Sequence, residues 1–286
     1  MTRIKRSTLA GTWYAAGAAR LREQVADLLQ AAPPAPTSGP LAGLVVPHAG
    51  YLYSGRAAAA GYVCLSATPY ERAVILAPSH FASFRGAALL DVDGFETPLG
   101  TIAVDGDAVA TLRHQSLFHE DAAPYRDEHA LEIQLPFLQH VLSGVRVVPV
   151  LLGALTEDDY ASVADALRLL AAPGTIFLVS SDFVHYGWRF DYLPFPADGE
   201  EQVRAGLRAL DMGAIAYVCA GDAAGFRRYV AETGATICGR MPIGAFLTLH
   251  ARRPRGQLLT YYTSLDVTQD YDHCVSYASI AFPLAA

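Results

Sequence analysis

The chain has little from which to build covalent cross-links, a basic surface or a membrane span. Its four cysteines, Cys64, Cys219, Cys238 and Cys274, are widely spaced and form no Cys-x-x-Cys pair. That pattern does not make a disulfide framework and suits a reduced, cytoplasmic protein. Lysine and arginine total 21 against 28 acidic residues, for a net charge of −7, and no stretch is dense in basic residues. A protein that neutralises phosphates needs a basic footprint, so no nucleic-acid partner is expected. No apolar run approaches the roughly 20 residues of a membrane helix, so no membrane is expected either. The first 21 residues set Arg3, Lys5 and Arg6 ahead of small residues, as a signal peptide would. Gly11, Thr12, Tyr14, Gly17 and Arg20 interrupt any apolar h-region and argue against one.

What the chain does have is apolar content, 52% over 286 residues, enough to bury a sizeable core. Leu21, Val25, Leu28 and Leu29 share one helical face and predict a helix over 18–31, followed by a Pro-rich loop over 31–40. A strand at 43–46, an Ala-rich helix at 54–67 and a strand at 72–77 make a βαβ unit of the usual size, about 30 residues. Short strands are expected at 86–92 and 100–104 around a turn-rich stretch, 93–99. A helix at 128–141 and a strand at 145–152 follow. Thr156 reads as the N-cap of a helix over 156–170, with Glu157, Asp158 and Asp159 in its first turn. A strand at 175–180, helices at 200–219 and 222–232, and strands at 257–264 and 274–282 complete the chain. Alternating strands and helices predict an α/β layered fold with a mostly parallel sheet.

Three of these strands run straight into a histidine: His48 after Val46-Pro47, His80 after Pro78-Ser79, and His185 after Ser180-Ser181-Asp182. In parallel α/β sheets such positions gather along the carboxyl edge, where sites are built. If the strands before His48 and His80 are neighbours, their ends lie about 4.8 Å apart. Two imidazoles there can share one ion at about 2.0–2.1 Å. Asp182 can fix the tautomer of His185 and raise its basicity, as a general base requires; the alternative is an N-cap aspartate beside a solvated histidine. Cys238 is either a thiolate donor or buried filler. In Asp127-Glu128-His129-Ala130-Leu131-Glu132, His129 and Glu132 share a helix face as ligands or their hydrogen-bond partners, or Glu128 and Glu132 are simply acidic residues favoured at a helix start.

Taken together, these segments resemble the Memo family. The motifs are Gly11-Thr12-Trp13-Tyr14, Pro47-His48-Ala49-Gly50-Tyr51, Pro78-Ser79-His80, Thr97-Pro98-Leu99 and Asp127-Glu128-His129 with Glu132 and Leu135-Pro136. They continue with Ser180-Ser181-Asp182-Phe183 and His185, Ile237-Cys238-Gly239-Arg240 with Pro242-Ile243, and Val275-Ser276-Tyr277. Their order holds across nearly the whole chain, which implies a single Memo-like domain over 1–286. The resemblance also implies the fold of the class III extradiol dioxygenases: one α/β domain, a central mixed sheet and helices on both faces. It maps the family's metal ligands onto His48, His80 and Cys238, and its active-site histidine onto His185. It further implies iron- or copper-dependent redox chemistry or phosphotyrosine-peptide binding at the same cleft. A radical-SAM protein and an Amme-type protein are implied as partners.

The first function expected is therefore a mononuclear non-haem Fe(II) oxidoreductase, dioxygenase-like, with Cu or Zn as alternative ions. His185, oriented by Asp182, would take a proton from an aromatic or phenolic substrate, and Trp13, Tyr51, Tyr53 and Tyr186 would line its pocket. The second is a metal carrier or a scaffold for an anionic or aromatic peptide group, with Arg240 receiving the anion. A third reading, a Cys238–His185–Asp182 hydrolase, leaves His48 and His80 without a role.

Overall fold

Strands buried on both faces of a sheet must be apolar on both sides, and four segments of this chain are. The computed structural model describes residues 2–36, 39–196, 199–251 and 255–284; Thr37 and Ser38 of the expected Pro-rich loop lie outside them. In chain order the elements begin β1 (Ile4–Lys5), α1 (Ala18–Ala31), β2 (Leu41–Val46), α2 (Tyr51–Tyr62), β3 (Arg72–Pro78), β4 (Ala87–Leu89), β5 (Gly94–Thr97) and β6 (Gly100–Ala103). They continue with α3 (Gly106–Arg113), β7 (Phe118–Glu120), α4 (Leu135–Val141), β8 (Arg146–Leu152), α5 (Glu157–Arg168), β9 (Thr175–Ser180) and β10 (His185–Gly187). The last are α6 (Glu200–Ala220), α7 (Ala223–Thr233), α8 (Arg240–Leu249), β11 (Gln257–Thr263), α9 (Leu265–Thr268) and β12 (His273–Pro283).

The main sheet runs β10-β12-β2-β9-β3-β8-β4-β7, with β11 on β12. Its centre, β2-β9-β3-β8, is parallel, while β12 and β4 flank it antiparallel, so the sheet is mixed. Residues of these central strands alternate between two cores. Val45, Val74, Leu76, Val148, Phe177 and Val179 pack toward α3 and α5–α8. Leu44, Val46, Ile75, Val147, Ile176 and Leu178 pack toward α1, α2 and α4. The result is one mixed α/β domain with helices on both faces.

Several expectations need correction. β2 and β3 are not neighbours, because β9 lies between them and pairs with both. The stretch 93–99 is not mere turn: Gly94–Thr97 pairs antiparallel with Gly100–Ala103 around Pro98-Leu99, and this hairpin forms a separate small sheet with β1. The helix expected at 128–141 is helical only from the 3₁₀ turn Glu132–Gln134 onward. Ahead of it, the Glu128 carboxylate accepts from the Ala130 and His80 amides and holds the chain in an open turn. Helix α8 was not foreseen, no element being expected between 232 and 257; Pro242 sits in its first turn, where no intrahelical donor is needed. At α5, Thr156 and Asp159 form the reciprocal capping box.

Candidate metal centre

Each of the strand-end histidines is held by a partner that decides which ring nitrogen carries the proton. Pro47 ends β2, having no amide to donate, and His48 follows it, almost wholly buried. His48 Nδ1 lies 3.0 Å from Ser180 Oγ. That hydroxyl gives its own proton to the Ala130 carbonyl at 2.6 Å and accepts from Gln134 Nε2 at 2.8 Å. Its remaining capacity is as an acceptor, so His48 is protonated on Nδ1 and its lone pair lies on Nε2. His80 Nδ1 donates to Glu128 Oε1 at 2.9 Å, again leaving Nε2 bare. Burial works to raise the Glu128 carboxyl, but hydrogen bonds from His80 and two amides hold it below the usual carboxylate range. This carboxylate–imidazole pairing is common where histidine binds a metal.

The ring nitrogens of His48, His80 and His129 all lie within 4.8 Å of one another. Cys238 Sγ lies 3.1 Å from His48 Nε2 and 3.5 Å from the Asp182 carbonyl. The thiol is held well above its ordinary pKa by burial and then by Asp182, so without a cation it keeps its proton. Gly239 makes this approach possible: a Cβ there would meet Ser181 Cβ at 2.3 Å, and its amide donates to Ser181 Oγ. Burial also lowers the pKa of His48 well below the ordinary value and that of His129 to about 4, so both rings are neutral.

His185 is oriented differently from expectation. Its Nδ1 donates to two carbonyls, Phe183 and Thr236, each at 3.0 Å, which fixes a bare Nε2. The Asp182 carboxylate is instead spent on the His48 amide at 2.8 Å. Burial lifts this carboxyl to about 7 against the pull of that amide. A Cys238–His185–Asp182 relay therefore lacks an acid on the imidazole. The cleft itself holds about 490 Å³ and is lined by Trp13, His48, His80, His129, His185, Phe190 and Cys238, among others.

Other expected site residues lie elsewhere. Tyr51 is buried in the α1/α2/α4 core, its hydroxyl on the Ile133 carbonyl and its ring against Phe137. Tyr53 stands outside the cleft wall in the first turn of α2, and Tyr186 is buried face to face with Phe195. Arg240 lines a different cavity. Glu132 is no partner of a metal ligand: it accepts from Ser7, Thr8 and Tyr14 side chains and the Thr8 and Leu9 amides. Trp13 does reach the cleft, its ring 4.5 Å from that of His129. Sequence reasoning missed Phe190, whose ring meets His185 edge-on at 5.1 Å, and Thr236. Both are close in sequence to residues already singled out, which was the signal available.

Fold and site together define a mixed α/β protein with a histidine-rich cleft able to bind a metal ion. The chain belongs to the Memo family: the family model described as Memo-like protein matches residues 5–281. Protein memo-1 homolog of Caenorhabditis elegans is 32% identical over 283 residues, 94% of this chain and 80% of that protein. Protein MEMO1 of Homo sapiens is 30% identical over 282 residues, 94% of each chain. In structure the chain is similar to the uncharacterized protein JW3007 from Escherichia coli K12, with a TM-score of 0.56 at 11% identity over 85% of this chain and all of that one. Among the described residues no helix is long and apolar enough to cross a membrane.

Proposed function

We propose that this chain holds one transition-metal ion, Fe(II) in first place with Cu or Zn as alternatives, through His48 Nε2, His80 Nε2 and the Cys238 thiolate. We further propose that it is an oxidoreductase acting on a small aromatic or phenolic molecule in the same cleft. The observation that carries the ligand choice is the Glu128 bond that leaves His80 Nε2 bare, taken with the attitude of the rings. The planes of His48 and His80 cross at 85° with centroids 5.2 Å apart, so one ion can lie in both. His80 and His129 instead stack at 4.5 Å and 22°. A ring nitrogen's lone pair lies in its own plane, and an ion on the axis of one stacked ring stands off the plane of the other. His48 and His129 also cross, at 83° with centroids 5.4 Å apart, so attitude admits either His80 or His129 beside His48. The Glu128 bond to His80 Nδ1 at 2.9 Å favours His80, with His129 as a wall of the cleft and the nearby thiol as the third donor.

Bound iron or copper would supply Lewis acidity and one-electron chemistry, and zinc Lewis acidity alone. The chain's own residues do the rest. Ser180 and Glu128 keep both imidazoles in the ligating tautomer, and Cys238, whose thiol lies 3.1 Å from His48 Nε2, would release its proton to solvent on holding a cation. His185 Nε2 is the bare nitrogen that accepts a proton from a phenolic hydroxyl, with Phe190 and Trp13 flanking the ring. The thiol takes the place of the carboxylate that non-haem iron oxygenases use, while Asp182, also on the cleft wall, holds the His48 amide through Oδ1. That softer donor favours a second reading, a carrier of Cu(I) or Zn without turnover. The anion-binding scaffold loses its anchor, since Arg240 is not in the cleft.

The test is metal content after anaerobic Fe(II) loading and desalting. Iron close to stoichiometric in wild type and His129→Ala, and absent in His48→Ala and Cys238→Ala, is expected. Loss in His129→Ala with retention in Cys238→Ala would replace the ligand set by the three histidines. Wild type that refuses iron yet retains Cu(I) or Zn would favour the carrier. With iron bound, His185→Ala should keep the metal and lower oxygen uptake on phenols by about 10²–10⁴-fold.

A further inference from the structure

A second cavity, of about 480 Å³, opens between α5, α7 and α8. Tyr160, Phe226, Arg227, Ala231, Arg240 and Met241 line it, over a floor formed by residues 234–236. Its walls combine flat apolar surface with surplus positive charge. The Arg227 guanidinium lies 4.5 Å over the Tyr160 ring and is paired at 2.7 Å with Glu157, whose side chain is 73% exposed on the rim. Arg240 forms no ion pair among the described residues, so the cavity carries one uncompensated cation in a chain whose net charge is −7. Such a wall fits an anion on an apolar or aromatic body: a guanidinium binds carboxylate, sulfonate or phosphate, and the half-buried Leu155, Val230 and Met241 side chains offer the apolar contact.

The floor of this cavity is also the wall of the metal cleft. Helix α7 ends at Thr233, Gly234 turns the chain at φ +65°, and α8 begins at Arg240. The short connector between them carries Thr236 and Cys238. Thr236 lines both cavities. On the cleft side its hydroxyl accepts from the His185 amide at 3.0 Å and donates to the His185 carbonyl at 2.7 Å, while its own carbonyl takes the Nδ1 proton. A body wedged between α7 and α8 thus presses on the segment that sets the attitude of His185.

We infer that the cavity between α5, α7 and α8 is a second ligand site, for a small organic anion with an aromatic or apolar body, whose occupancy is read at His185 through Thr236. Coupling of this kind is reciprocal, so a ligand in the cleft changes affinity at the second site by the same factor. Neither the connector nor the cavity walls depend on which metal the cleft binds.

The probe is anilinonaphthalene sulfonate, an aromatic sulfonate whose fluorescence rises in apolar surroundings, titrated into the full chain. Saturable binding is expected in wild type and in His80→Ala alike. Arg240→Met, a change at an exposed position, should weaken it by about tenfold, the worth of one charge-assisted hydrogen bond. Ala231→Phe, which fills the cavity from α7, should abolish it. At saturation the imidazole proton–nitrogen correlations of His185 should shift in wild type and stay fixed in Ala231→Phe. Binding that is absent, or unchanged in both cavity variants, or lost in His80→Ala, overturns the site. Binding with His185 unmoved overturns the coupling.

Discussion

A histidine's chemistry is set by where its one proton sits, and in this chain neighbouring residues decide that three times over. Ser180 is committed as a donor to Ala130, Glu128 can only accept, and two carbonyls take the His185 proton; each arrangement bares Nε2. Proton placement also governs a group outside the cleft. Asp211 is fully buried, accepting from the Val184 amide at 3.0 Å and the Tyr261 hydroxyl at 2.8 Å. Burial, opposed by those donors, lifts its carboxyl to about 6. An unfolded aspartate ionises near 3.9, so between these values the native state holds the extra proton. Its contribution to stability is complete below about pH 4 and is lost as pH rises through 6, on the order of 2–3 kcal/mol in all. Asp211→Asn should remove that slope, gaining on wild type at pH 8 relative to pH 4 in urea unfolding. Equal pH dependence in the two proteins would show that Asp211 ionises normally in the fold.

At the scale of elements, the N-terminal loop is fastened by one carboxylate. Glu132 takes donors from Ser7, Thr8, Leu9 and Tyr14, and this loop delivers Trp13 to the cleft. Glu132→Ala should cost about 2–4 kcal/mol by stranding buried donors. It should also open Trp13 to acrylamide quenching in a Trp188→Phe background; quenching unchanged from the parent would mean the loop is held by other contacts. The sequence made the strand-end histidines legible because a buried parallel strand is a continuous apolar run, and its end is marked by the first polar residue. It did not reveal Glu132's task, since a helical spacing placed it beside His129, whereas the chain is not helical until Glu132 itself. Tyr51 and Arg240 were misjudged for a related reason. Each is next or nearly next to a donor residue in sequence, yet each opens a helix whose turn sends the side chain away from the cleft. The neighbour order of the strands was hidden as well, because pairing of β9 with both β2 and β3 is a long-range choice that local pattern does not encode.

At the scale of the molecule, the last strand is structurally central. β12 pairs with β10, β11 and β2, joining the antiparallel flank to the parallel core. Removing residues 273–286 should abolish cooperative unfolding and near-ultraviolet dichroism while leaving helical signal; a sharp transition in the truncated chain would show that the core closes without it. The cleft is assembled over a similar span, for the sulfur–imidazole contact joins residues 190 positions apart. On the ribosome that separation is time: at about 5–20 residues per second, Cys238 is made some 10–40 s after His48. During that interval a nascent chain displays histidines with no finished pocket, and the wait is longer still for β12, which supplies Val275 to the cleft and closes the sheet on β2.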